Sequence, residues 1–226
     1  MSDGFAFDGG FGIGGEDDEP IDASIQQMYQ EMILDASRQA HGQRADLATD
    51  ASEEDGSQAA LVARSQAHPG CLVGQSHQFN PTCGDEVLLR VETKDGVIES
   101  VGWNGHGCAI STASLSIMCD LAEGRTIDEF TRLYQAFREL MDSRGRGVDE
   151  PTEGLLGDAV AFQSVSRFPM RIKCALLGWE AAKASLAEVL LQSDKTSVAG
   201  TNMVAKDGES VMKDAARSPK GSVHDS

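Results

Sequence analysis

Apolar residues in this chain fall into helix-like and strand-like stretches set between polar ends. Ile25, Met28, Tyr29, Met32, Ile33 and Ala36 recur at three- and four-residue steps, the stripe of an amphipathic helix. Pro20, Asp22 and Ser24 suit its start, and His41-Gly42 its end. The period then shortens. Val87, Leu89 and Val91 alternate with Leu88, Arg90 and Glu92, Asp95-Gly96 marks a tight turn, and Val97 to Trp103 reads as the returning strand. Ser76 to Asn80 supplies a preceding strand, stopped by Pro81. Ala109 to Ala122 is dense in small and apolar residues and ends before Gly124. Ile127 to Met141 places Phe130, Leu133, Tyr134, Phe137 and Leu140 on one helical face. A loop from Ser143 to about Gly154 follows, and Pro169 precedes a long helix over Arg171 to Leu191. These elements predict one α+β domain over about residues 20–192, a small antiparallel sheet covered by helices on one face.

What lies outside that pattern is polar. Residues 1–19 form a Gly-rich acidic leader, residues 43–70 an Ala/Ser/Asp/Glu/Gln-rich insertion, and residues 193–226 a polar tail. Their composition predicts disorder at both ends and a flexible insertion carrying a short helix around Ala59–Ala63. A net charge of −17 argues against a nucleic-acid partner or an anionic membrane face. The N-terminal stretch MSDGFAFDGGFGIGG lacks the basic and apolar regions of a signal peptide, and no run approaches the ~18 apolar residues of a membrane span. The expected compartment is the cytoplasm. Five cysteines are too few for a disulfide framework in a chain this long, and in a reducing compartment thiols serve more often as ligands or nucleophiles.

Three strings concentrate that chemistry: Asn80-Pro81-Thr82-Cys83-Gly84-Asp85, Gly105-His106-Gly107-Cys108, and Arg171-Ile172-Lys173-Cys174. Each cysteine stands at a boundary between elements, where side chains from distant segments can be aimed at one point. Gly84 lets Cys83 and Asp85 turn to the same side. Cys174 opens the last helix, whose positive N-terminal dipole is expected to lower its thiol pKa. Three sulfurs and one oxygen would suit tetrahedral Zn²⁺. The spacings are unlike those of a zinc finger or ribbon, so the residues alone leave two readings open: a metal site, or three partly buried structural thiols.

The order PTCGD, GxGC followed by a helix, and KC at the last helix resembles the SufU branch of the iron–sulfur assembly proteins related to IscU. CAISTASLSIM, RFPMRIKCALLGWEA and MYQEMILD are similar to further segments of that family, and the resemblance covers about residues 25–190. Lys173 stands where IscU-type scaffolds carry a ligand histidine, and the long gap between Cys108 and Cys174 also resembles the SufU branch. The stretch after MILD, ASRQAHGQ, and the polar insertion depart from the family pattern. The resemblance implies a SufE/IscU-like fold and a zinc site of Cys83, Asp85, Cys108 and Cys174. It implies that Cys83 accepts sulfur from a pyridoxal-phosphate-dependent cysteine desulfurase (SufS-like), after a histidine of that partner has replaced Cys83 on zinc. The expected function is a zinc-bound, sulfurtransferase-like sulfur acceptor that passes sulfur on to other cluster assembly proteins. The alternative is a scaffold that assembles a transient [2Fe–2S] cluster on the same ligands. A third reading, an interaction module with structural zinc, would leave Cys83 inert towards persulfide. Cys119, Trp103 and Trp179 read as core, Cys71 as an exposed spare thiol, and His106 as a solvent-facing turn residue.

Overall fold

The computed structural model describes residues 22–47 and 68–211, the final helix beyond residue 194 by its backbone alone. The acidic leader, most of the insertion with its expected helix at Ala59–Ala63, and residues 212–226 lie outside the described residues. Helix α1 (Ala23–Gln39) starts where Asp22 accepts a hydrogen bond from the Ser24 N–H and stops at Ala40, whose φ is 43°. Its apolar stripe is only half used. Ile33 and Ala36 are buried and Tyr29 and Met32 pack partly against the core, whereas Ile25 and Met28 are exposed.

Strands β1 (Leu72–Asn80), β2 (Asp85–Lys94) and β3 (Val97–His106) form an antiparallel sheet in the order β1-β2-β3. Asp95 and Gly96 both have positive φ, which closes the β2–β3 hairpin with the twist that its strands require. Two strands exceed the predicted lengths. β1 begins at Leu72, paired with Thr93, and β3 runs past Trp103 until His106 faces Glu86. The second extension sets Cys108 two residues beyond the strand, next to the start of β2.

Val87, Leu89 and Val91 turn one face of the sheet towards the helices, as their alternation predicts. There lie α2 (Ala109–Ala122), α3 (Ile127–Asp142), with a Thr126–Glu129 capping box, and α5 (Pro169–Val211), which packs against β1 and β2. Trp179, fully buried, stacks on Phe137 at 4.4 Å and on Phe130 at 6.0 Å, and donates its indole N–H to Ser114 Oγ at 3.0 Å. Cys119 and Trp103 also lie in the core. The free edge of β1 is covered by α5: Glu188 accepts from the Gln75 N–H at 2.8 Å and Gln192 donates to the Val73 carbonyl at 2.8 Å.

Three expectations change. The stretch expected as a loop to Gly154 contains α4 (Glu150–Leu156), capped by Asp149 and continued by a 3-10 segment over Gly157–Ser164. The last helix begins at Pro169 and its backbone stays helical to Val211, past Leu191. The sheet's second face is not left to solvent either. Arg90 and Glu92, each 1 % exposed, form an ion pair there at 2.8 Å. Both ends of the insertion reach this face. Leu47 accepts a hydrogen bond from Asn104, and His68 gives its N–H and ring Nδ1 to Glu92 Oε2 at 2.9 and 2.7 Å.

Burial pushes the Glu92 carboxyl up, but the His68 hydrogen bonds and Arg90 outweigh it and leave the group below the usual glutamate range. The stability it contributes is therefore present above the unfolded carboxyl pKa and is lost as pH falls through the depressed folded value. Glu92→Gln should lower unfolding stability at pH 7 by roughly 3–5 kcal/mol, the cost of leaving a buried partner unpaired. The gap from wild type in urea titrations should narrow as the pH drops below the carboxylate range.

Candidate metal centre

The candidate side chains come from three junctions of the fold. Cys83 sits on the turn between β1 and β2, where the Gly84 N–H bonds to the Asn80 carbonyl at 2.9 Å and Gly84 takes a φ of 77° that suits glycine. Asn80 Oδ1 accepts from the Thr82 N–H at 3.1 Å, so the turn is fixed from within, while Asn80 Nδ2 is buried without a partner among the described residues. Asp85 is the first residue of β2, Cys108 is the N-cap residue of α2, and Cys174 lies in the second turn of α5.

The three distant strings do converge. Cys174 Sγ lies 3.3 Å from Cys83 Sγ, and the ligand atoms of Cys83, Asp85 and Cys174 all fall within 4.8 Å of one another. Cys108 joins through Asp85. Its N–H donates to Oδ1 at 3.1 Å and its thiol to Oδ2 at 3.6 Å, although its sulfur is not part of the mutual group of three. Exposure divides the set: Asp85 and Cys174 are 3 % and 4 % exposed, whereas Cys83 and Cys108 face solvent.

Burial alone would raise the Asp85 pKa. The thiols of Cys174 and Cys83, the Cys108 N–H and the Ser111 hydroxyl outweigh it and hold the carboxyl below the usual aspartate range. Cys174 moves the other way from the expectation of a lowered thiol pKa. It is not at the helix start, and burial, reinforced by its hydrogen bonds to Cys83 and Asp85, pushes its pKa well up. A cation at this point would reverse that balance and hold the thiol as thiolate. Soft sulfur with one hard oxygen suits Zn²⁺, and cysteine sulfur also ligates iron. The donor set fits a metal.

Neighbouring residues sort themselves clearly. Lys173 lines a groove with Phe79, Pro81, Thr82 and Glu180, and the Arg171 guanidinium lies over the Phe168 ring at 4.9 Å. His106 is exposed at the end of β3. Ser111 was not singled out in the sequence. Its position in the first turn of α2, three residues after Cys108, was the available signal.

A cluster of thiols and one carboxylate that could hold a metal ion thus stands at the end of a three-stranded sheet, backed by a long helix, in a domain of the α+β class. The chain belongs to the NifU-like N-terminal domain family, whose model matches residues 58–188. It is 39% identical over 107 residues to "Iron-sulfur cluster assembly scaffold protein IscU" of Streptococcus pyogenes serotype M1, covering 47% of this chain and 65% of that protein. It is 38% identical over 109 residues to "Zinc-dependent sulfurtransferase SufU" of Bacillus subtilis, covering 48% of this chain and 71% of that protein. Among solved structures, a putative iron–sulfur cluster assembly scaffold protein for the SUF system from Fervidobacterium islandicum AW-1 superposes with a TM-score of 0.52 at 29% identity. That match covers 71% of this chain and 98% of the other. The SufE/IscU-like α+β fold implied by the motifs is thus the fold observed. No described helix is long and apolar enough to cross a membrane.

In metal-free protein, iodoacetamide at neutral pH should modify Cys83 and Cys108 first, with Cys174 slower by on the order of tenfold or more. Peptide mass mapping reads the order. Equal rates at Cys83 and Cys174 would contradict the burial described above.

Proposed function

We propose that this protein is a sulfur acceptor in iron–sulfur cluster assembly, with zinc held by Cys83, Asp85, Cys108 and Cys174. In this reading it takes sulfur from the persulfide of a pyridoxal-phosphate-dependent cysteine desulfurase (SufS-like) in the cytoplasm and passes it to other cluster assembly proteins. The observation that carries the reading is the contrast within the site. Cys83 is exposed on a short turn, while Asp85 and Cys174 beside it are buried. Within this group of three the Cys83 thiol is offered outward and its two neighbours are fixed, while Cys108, outside the group, also faces solvent. The similarity to a relative named a zinc-dependent sulfurtransferase supports the zinc and the transfer chemistry.

When bound, zinc would keep the cysteines as thiolates and shield them from oxidation. The chain's own residues supply the rest. Asp85 is anchored by the Cys108 N–H, and Cys174 by the body of α5, so neither needs to move when Cys83 reacts. Cys83 thiolate attacks the outer sulfur of the partner's persulfide. A new S–S bond forms at Cys83 as the partner's S–S bond breaks, and the partner's cysteine leaves as thiolate, with no external oxidant or reductant. Lys173, turned into the groove lined by Phe79 and Glu180, leaves the fourth ligand position to Asp85.

A second reading, the scaffold that builds and transfers a [2Fe–2S] cluster, draws on the relatives named as scaffolds and on the capacity of the same thiols to bind iron. Elemental analysis and anaerobic reconstitution separate the two. The acceptor reading expects about one colourless zinc per chain; a stable brown cluster transferred to an apo-ferredoxin favours the scaffold.

Cys83→Ala should reduce alanine release by the desulfurase to the level of the desulfurase alone, without unfolding the protein by circular dichroism. Stimulation that survives this substitution would remove Cys83 from the acceptor role.

A further inference from the structure

Among the described residues one pair of cysteine sulfurs lies in contact. Cys174 Sγ stands 3.3 Å from Cys83 Sγ, although 91 positions separate the two in sequence. Cys108 Sγ lies instead against Asp85 Oδ2 at 3.6 Å and Ser111 Oγ at 3.8 Å, outside the group that joins the other two. Cys119 is fully buried in the core, and Cys71 precedes the start of β1, at the opposite end of that strand from the Cys83 turn.

The two sulfurs in contact differ in access. Cys83 is exposed on a turn with open space beside it, since a Cβ built on Gly84 meets nothing within 4 Å. Cys174 is 4 % exposed and carried by α5. A small oxidant from solution therefore meets Cys83, and Cys174 meets only its neighbour. An accessible thiol with a second thiol poised behind it is the arrangement that turns a one-thiol oxidation into a disulfide.

The chemistry balances with one hydroperoxide. Cys83 sulfur attacks a peroxide oxygen, the O–O bond breaks, and a sulfenic acid forms; with hydrogen peroxide the leaving group is water. The Cys174 sulfur then attacks the Cys83 sulfur. An S–S bond forms, the S–OH bond breaks, and a second water departs with the Cys174 proton. The two thiols have lost two electrons and the peroxide has gained them. Contact in the fold replaces an encounter from solution, so Cys174 needs neither exposure nor strong nucleophilicity. The turn that carries Cys83 has room to close the remaining distance.

We infer that Cys83 and Cys174 are a redox pair: in the metal-free centre a hydroperoxide joins them in a disulfide, which a small thiol reopens by attack at the exposed Cys83 sulfur. The pairing rests on the geometry alone. Its consequence, a protein that has lost its acceptor thiol and two donors of the cation site until it is reduced, rests on the reading proposed above.

The test uses the full chain, stripped of metal by a chelator, reduced, and treated with hydrogen peroxide before peptide mass mapping without reductant. The expected main product is the Cys83–Cys174 cross-link, lost again on treatment with dithiothreitol. Cys174→Ser should leave no reversible intramolecular product, and Cys83 should proceed to sulfinic acid. Cys83→Ser, at an exposed position that leaves the fold intact, should keep Cys174 reduced, because peroxide reaches it only through Cys83. The same treatment in denaturant should favour Cys83–Cys108 over Cys83–Cys174, since loop closure then favours the cysteine nearer in sequence. A Cys83–Cys108 link, a Cys83–Cys83 dimer, or Cys83 sulfinic acid beside a free Cys174 as the main product of the chelated protein overturns the inference. Stimulation of the desulfurase should disappear on oxidation and return on reduction. A protein that forms the Cys83–Cys174 cross-link yet stimulates the desulfurase equally in both states supports the pairing and overturns the acceptor reading.

Discussion

A carboxylate removed from water must find hydrogen bonds or a cation, because its desolvation costs several kcal/mol otherwise. Asp85 is nearly fully buried at the very start of β2, and the partners that satisfy it come from three other segments: Cys83 in the preceding turn, Cys108 and Ser111 at the head of α2, and Cys174 in α5. The requirement of one charge therefore draws the scattered cysteines to one end of the sheet. The sheet makes the meeting geometrically feasible. Pairing of Asn80 with Asp85 and of Glu86 with His106 brings the β1–β2 turn and the exit of β3 to the same edge.

The long helix α5 supplies the fourth segment and the rigidity. Trp179, stacked between Phe130 and Phe137, ties it to α3, and its indole N–H ties it to Ser114 of α2. Farther along, Glu188 and Gln192 occupy backbone groups of β1 that an edge strand would leave unpaired. Cys174 is thus carried by an element that is fastened at several points to both the sheet and the helices. Cys83 is carried by a short turn tied internally by Asn80. The buried Cys174 thiol is held by the body of the domain, the exposed Cys108 by the head of α2, and the exposed Cys83 by a few local bonds.

Much of this was legible in the residues. The alternation of Val87, Leu89 and Val91, the Asp95-Gly96 turn and the apolar face of α3 are periodic signals, and each element formed where its period placed it. The three cysteine strings were legible because glycines and element boundaries surround them. What escaped the pattern depends on contacts between segments. The alternation that places Arg90 and Glu92 opposite the apolar face carries no sign of their burial; the approach of Arg44, Leu47 and His68 from the insertion's ends makes them a buried pair. The helix Glu150–Leu156 was hidden by Pro151 and Gly154, although Asp149 is a sound N-cap and Pro is well tolerated in a first turn. The start of α5 at Pro169 turned Cys174 from a helix-opening thiol with an expected low pKa into a buried one with a raised pKa.

That last difference bears on how the proposed centre would let go of one ligand while keeping a metal. A thiol whose pKa is raised by burial is a poor nucleophile on its own and has no route to a partner, so Cys174 serves by staying in place. Asp85 accepts the Cys108 backbone N–H, a bond that does not depend on a bound cation, and so keeps that anchor if a sulfur leaves. Cys83 has neither the burial nor the outside anchoring of these two. Among the ligands grouped within 4.8 Å it is the one whose departure disturbs the fewest other contacts. Within that group of three, the asymmetry of burial leaves Cys83 as the accessible thiol, and Cys108, outside the group, is exposed as well.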